Sequence, residues 1–162
     1  MIFFNIGIYS VSLPSQDLKQ KIDYYAYKYN LSKELVYAVC FKESSYNRMA
    51  KNKNKSSKGY SIGIMQLNQN YFKHWKLKDF YNLDKNLNTG CKLLKRYLEL
   101  SGNNYYQALV YYNYGRGNFL KYKRVPLLTD KYAKQVVSLM IYFESLDLNN
   151  YVFNYEKLLK GF

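Results

Sequence analysis

The sequence predicts a mainly α-helical single domain with at most a small β element, and three observations carry that expectation. A chain of 162 residues is of single-domain length and can bury a core without staples. It holds only two Pro and eight Gly, so helix breakers are few. Apolar residues recur at helical spacing in several stretches, most clearly at Leu87, Cys91, Leu94 and Leu98. Hydrophobic residues make up 48% of the chain, which excludes a disordered one.

The elements follow in chain order. Residues 1–14 are apolar but too short to span a membrane. They read either as the remnant of an export signal lacking its basic segment or as an N-terminal arm. The domain proper is expected over 15–162. Ser15 is placed to cap a helix running to about Asn30, and Ser32 to cap the next. Asn47 to Gly59, with Arg48, Lys51, Lys53, Lys55 and Lys58 and no acid, reads as a mobile surface loop. Tyr60 to Asn68 is too short and Gly-broken for a helix, and reads as a turn or short strand feeding Asn70 to Trp75. After the Leu87 stripe, a shorter helix is expected from about Tyr105 to Tyr112, with Gly115 beyond it. Tyr132, Val136, Leu139 and Phe143 mark another helix, for which Thr129 is the expected cap, and Asn149 to Phe162 adds a short last one. No internal repeat or domain linker is visible.

Charge narrows the partners. The chain carries 25 Lys and Arg against 11 Asp and Glu, a net +14, and so favours an anionic partner. Charge alone does not choose among nucleic acid, an acidic membrane and an acidic polymer, but no nucleic-acid motif is present. One His, His74, and two distant cysteines cannot build a zinc site, so neither metal nor cofactor is expected. Cys40 and Cys91 fall on apolar helix faces, where they serve either as small hydrophobes or, in an exported chain, as a disulfide.

One acid stands out. Glu43 shares a helical stripe with Val36, Val39 and Cys40. A carboxyl held on an apolar face is poorly hydrated, which raises its pKa and suits it to donate a proton near neutrality. A Glu near a helix end that merely reaches solvent is the competing reading, and this segment alone leaves both open.

Four separated segments then resemble one family in the right order. They are Glu43-Ser44 at a helix end, Gly63-Ile-Met65-Gln66, Ala108-Leu-Val-Tyr-Tyr112-Asn113-Tyr-Gly115-Arg-Gly117, and Thr129-Asp-Lys-Tyr132. Together they look like the signature of lytic transglycosylases, the soluble-transglycosylase branch of the lysozyme-like superfamily. The Asn86-Leu-Asn-Thr-Gly90 helix start with Tyr97-Leu98 is similar to a further recurring feature, and the likeness covers about Leu31 to Val137.

The resemblance implies a lysozyme-like fold with a substrate cleft and Glu43 as a single general acid, then base. Peptidoglycan is the implied substrate, cleaved at the MurNAc-GlcNAc linkage without water. Ser44 would orient substrate or simply bond backbone at the helix end. Gly63 would allow close approach to the sugar or a positive φ, Met65 would floor the cleft, and Gln66 would bond an acetamido group. Tyr112 and Asn113 match the Tyr-Asn pair beside the acid, although an Asn before Gly115 also ends helices well. Tyr132 resembles the Tyr that bonds the catalytic carboxyl. Asp79, Asp84 and Asp130 are the other acids that a hydrolytic mechanism would draw on, and none holds a matching position. Val110, Tyr111 and Tyr114 are bulkier than the family's residues there, and Arg116 stands where Pro is common. A periplasmic or cell-envelope monomer is implied, acting on glycan strands, with a secretion or flagellar apparatus as a candidate partner. A lysozyme-type hydrolase and a non-catalytic wall binder are the alternatives.

Overall fold

The computed structural model describes residues 11–53 and 59–159, with side chains placed as far as residue 146. Most of the 1–14 segment, residues 54–58 of the basic stretch and the end of the expected last helix lie outside those limits. Among the described residues the chain forms α1 (Gln16–Lys28), α2 (Lys33–Ser44), β1 (Lys51–Lys53), β2 (Tyr60–Ile62) and β3 (Leu67–Asn68). There follow a 3-10 turn (Gln69–Tyr71), α3 (Leu77–Tyr81), α4 (Leu83–Leu100), α5 (Tyr105–Val110), a π turn (Tyr111–Gly115), α6 (Arg116–Tyr122) and α7 (Leu127–Leu159). The architecture is mainly α with one small sheet, as the scarcity of breakers predicts.

Helix α2 is the axis of the molecule. Six consecutive residues, Leu35 to Cys40, are buried, so the helix is enclosed on every side. The Ser32 hydroxyl accepts from the Leu35 amide at 3.2 Å, the cap expected from sequence. Helix α7 packs along α2 through Ala133, Val136 and Leu139, while α4 contributes Leu87, Cys91, Leu94 and Leu98 to the same core. Fully burying one such aliphatic side chain is worth about 1.5–3 kcal/mol, so these stripes set how the helices pack. Cys40 and Cys91 are buried free thiols within that core.

The sheet is antiparallel in the order β1-β2-β3, with Lys51 opposite Ile62 and Ile62 opposite Leu67. Ile62, Leu67 and Phe80 form a second small core with Phe72 and Trp75 packed on it. Four expectations need correction. Lys51–Lys53, read as mobile loop, is a strand, because β2 supplies the backbone partners that its exposed side chains could not advertise. The chain does not end its helix at Asn113: it widens into the π turn and continues as α6. Thr129 lies inside α7, which starts directly after Pro126, so it is not a cap. Helix α7 also absorbs the start of the short last helix expected from Asn149.

Candidate active site

Glu43 occupies the last turn of α2, which stops because Ser45 and Tyr46 turn left-handed at φ 50° and 65°. Its neighbour ties this end down: the Ser44 hydroxyl donates to the Ile64 carbonyl at 2.8 Å and lies 3.1 Å from that of Cys40. Ser44 therefore has the backbone-bonded role. The bond fixes the helix end against the turn joining β2 to β3.

That turn, Gly63 to Gln66, is built by a residue outside the expected set. Asn86 is 1% exposed, and its amide donates to the carbonyls of Ile62 at 3.1 Å and Phe80 at 2.9 Å. Its Oδ1 accepts from the Met65 amide at 2.9 Å, so one α4 side chain satisfies three buried backbone groups. The sequence carried a signal for it: Asn86 is the polar member of the buried α4 stripe. Gly63, at φ 85°, lies so close to the Asn86 amide and the Phe80 carbonyl that a Cβ would stand 2.6 Å from the latter. Glycine is needed here for the backbone and for Asn86.

Two expected substrate contacts are corrected. Met65 is fully buried and its sulfur fills the space left by Gly90, so its side chain is core beneath the site and floors no cleft. Gln66, at φ 49°, donates to the Gly63 and Ala50 carbonyls at 2.8 and 3.3 Å and accepts from Asn52 at 3.0 Å. With both donors and its acceptor engaged, the amide braces the turn and β1.

The tyrosines come from the other side. Widening of the helix at Tyr111–Gly115 is a π insertion of the kind found at functional sites. From it the Tyr112 hydroxyl donates to the Met65 carbonyl at 2.8 Å, and Asn113 accepts from Thr129 at 3.0 Å. Asn113 is itself exposed, and Thr129, the expected cap, serves instead to tie the π turn to α7. Tyr132, one helical turn further on, donates to Glu43 Oε1 at 2.6 Å. Glu43, Ser44, Gly63, Tyr112 and Tyr132 are thus brought together.

Burial pushes the Glu43 carboxyl up from 4.5 to about 7, while the Tyr132 hydrogen bond and the Lys42 charge pull it back. Its buried surroundings stay protonated: desolvation, then the Glu43 charge, holds the Tyr132 and Tyr112 hydroxyls well above their usual value. Burial, the neighbouring Cys91 and Glu43 do the same to the Cys40 thiol.

The other acids are committed elsewhere. Asp79 accepts from the Lys76 amide at 2.7 Å and pairs with Lys85 at 2.9 Å. Asp84 pairs with Lys21 at 2.7 Å, and Asp130 accepts from Tyr106 at 2.6 Å and pairs with Lys134 at 2.9 Å. Hydrogen bonds to these partners hold all three below the usual carboxylate range. A cavity of about 460 Å³ opens on the sheet side between Phe72, Trp75 and Phe80, and shares no lining residue with the Glu43 cluster.

An enclosed helix ending in a carboxyl on its buried side against a small sheet makes this a mainly α, lysozyme-like domain. The transglycosylase SLT domain model matches residues 20–134, and the chain belongs to that family. The fold is shared with an inactive mutant of the lytic transglycosylase Slt from Pseudomonas aeruginosa, at a TM-score of 0.62 and 20% identity. The match covers 80% of this chain and 24% of that one, so this chain spans about a quarter of that protein's length.

Proposed function

We propose that this chain cleaves the MurNAc-GlcNAc β-1,4 bond of peptidoglycan without water, leaving 1,6-anhydroMurNAc ends. One observation carries the reading: a single carboxyl with a pKa of about 7, held by Tyr132, with Asp79, Asp84 and Asp130 all bound elsewhere. Neutral Glu43 protonates the glycosidic oxygen, and the C1–O bond breaks with its electron pair on the leaving sugar. The substrate's own acetamido oxygen stabilises the cationic C1, as substrate-assisted glycosidases do, so a second carboxylate is not required. Glu43, now charged, takes the proton from the C6 hydroxyl as O6 closes on C1. A group poised near the working pH serves both steps, and Tyr132 holds it in place between them.

The net charge of +14 suits an anionic cell envelope, and we place the protein there as an exported monomer. A secretion or flagellar assembly that needs a local opening in the wall is the partner this placement suggests. Mass analysis of peptidoglycan fragments tests the chemistry. Anhydro ends, one water lighter than hydrolysis products, are expected from wild type and none from Glu43→Gln. Reducing ends would make the protein a lysozyme-type hydrolase. Undiminished cleavage by Glu43→Gln would remove Glu43 from the mechanism, and binding without cleavage by wild type would leave a wall-binding protein.

A further inference from the structure

The cavity beside the sheet plays no part in the activity above. At about 460 Å³ it falls in the range of sites that enclose small organic ligands. Three rings make one wall. Trp75 lies 4.9 Å from Phe72 and 5.0 Å edge-on from Phe80, and Phe72 meets Phe80 at 6.1 Å. Phe80 is buried and anchors the group, while Phe72 and Trp75 are half-buried and line the cavity with it. Gln69, Asn70 and Lys73 add polar groups, and among the described residues no acid lines the space.

Hydrogen bonds hold these walls in place before any ligand arrives. The Asn68 side chain accepts from the Asn70 amide at 3.0 Å, which sets the 3-10 turn carrying Gln69 and Asn70. The Trp75 amide donates to the Phe72 carbonyl at 2.9 Å, which keeps the two rings together. Lys85 stands 4.6 Å from the centre of the Trp75 ring and is no part of the lining, so it steadies the indole from outside the cavity. Asn86 grips the carbonyls of Ile62 and Phe80, two lining residues, with the same side chain that fixes the turn beside Glu43. A preformed site binds without the cost of ordering its walls.

The lining selects a class of ligand. Flat rings beside amides suit a molecule with an apolar face and a polar rim. A pyranose has that build, because its axial C–H bonds lie on the ring face and its hydroxyls point outward. An acetamido substituent adds a donor and an acceptor that match a side-chain amide. With no acid in the lining, a cationic ligand has no partner there, and Lys73 suits the anionic groups of a wall glycan.

We propose that this cavity is a second glycan-binding site, which takes an N-acetylhexosamine unit against Trp75 and Phe72, apart from the Glu43 cluster. The proposal rests on the peptidoglycan reading above for the source of that sugar, and gives the chain a second hold on the wall. Trp75 is the single tryptophan of the chain, so its fluorescence reports on the cavity. Wild type titrated with diacetylchitobiose should show a saturable change in emission. Phe72→Ala should raise the Kd by about tenfold and Gln69→Ala by about fivefold, the scales of an aromatic contact and of a neutral hydrogen bond. If Phe72→Ala does not fold, Gln69→Ala, which leaves the rings untouched, must still weaken binding. An emission that the disaccharide leaves unchanged, or a Kd unmoved in the folded variants, would overturn the site and leave the activity standing. An equal response to cellobiose would overturn the N-acetylated sugar as its ligand. Wild type that binds the disaccharide at Trp75 but leaves peptidoglycan intact would overturn the activity and not the site.

Discussion

The proton held by Glu43 should be readable in the stability of the folded chain, without any substrate. In the native protein this carboxyl titrates at about 7, against 4.5 when unfolded. The native state therefore binds the proton more tightly, and the contribution to stability is fully present below pH 4.5. It is lost as pH rises through 7 and stays lost above it. The difference of about 2.5 units corresponds to roughly 3 kcal/mol at 1.36 kcal/mol per unit, and partial solvent access reduces this to about 2. Glu43→Gln keeps the shape and an oxygen that accepts from Tyr132, and removes the charge. Urea unfolding at pH 4.5 should give similar free energies for the two proteins. At pH 8.5 the variant should be more stable by about 2 kcal/mol, with an unchanged m-value. A difference independent of pH would refute the reasoning, because it would mean that burial does not oppose ionisation of Glu43.

Two further substitutions probe the frame around that carboxyl. Tyr132→Phe removes a bond that favours the charged form, so the pKa of Glu43 should rise above about 7. The alkaline limb of the kcat/KM profile should move up by about one unit, even as the maximum rate falls from lost positioning; a profile that keeps its limb would show that the hydroxyl acts through position alone. Asn86→Ala strands the Met65 amide and the Ile62 and Phe80 carbonyls, at a cost of about 3 kcal/mol in denaturant unfolding. Its kcat should fall although every group around Glu43 is chemically intact.

What could be read in advance depended on how many residues carried each signal. The α2 and α4 stripes repeat over several turns and were legible, and so was Glu43, because its stripe-mates Val36, Val39 and Cys40 fix its face. Strand β1 was hidden since Lys51, Asn52 and Lys53 are all exposed, with no alternation to betray a sheet, and its pairing is set by β2. The π turn was hidden because five residues hold less than two turns of periodicity, and Asn113 before Gly115 imitates a helix end. Motif position alone puts Met65 and Gln66 on substrate. That position marks what the fold needs as readily as what the reaction needs, and here Gly90 and the Gly63 carbonyl claim the two side chains.

The shared motif is therefore better understood as one mechanical unit than as a row of substrate contacts. Ser44, Gly63, Gln66 and Tyr112 all end on backbone of the same region: the first and last bond the Ile64 and Met65 carbonyls, and Gln66 bonds that of Gly63. Asn86 grips the turn from below through Met65 and Ile62. Rigidity there matters because Glu43 sits between opposed forces, burial raising its pKa and Tyr132 with Lys42 lowering it. Were the turn to loosen and admit water, the desolvation would fade and the carboxyl would drift toward 4.5, ionised and unable to start the reaction proposed above. Were Tyr132 to let go, the acid would hold its proton too tightly to give it up. On the mechanism proposed, a carboxyl that donates and then accepts needs both restraints, and Tyr132 and the braced turn supply them.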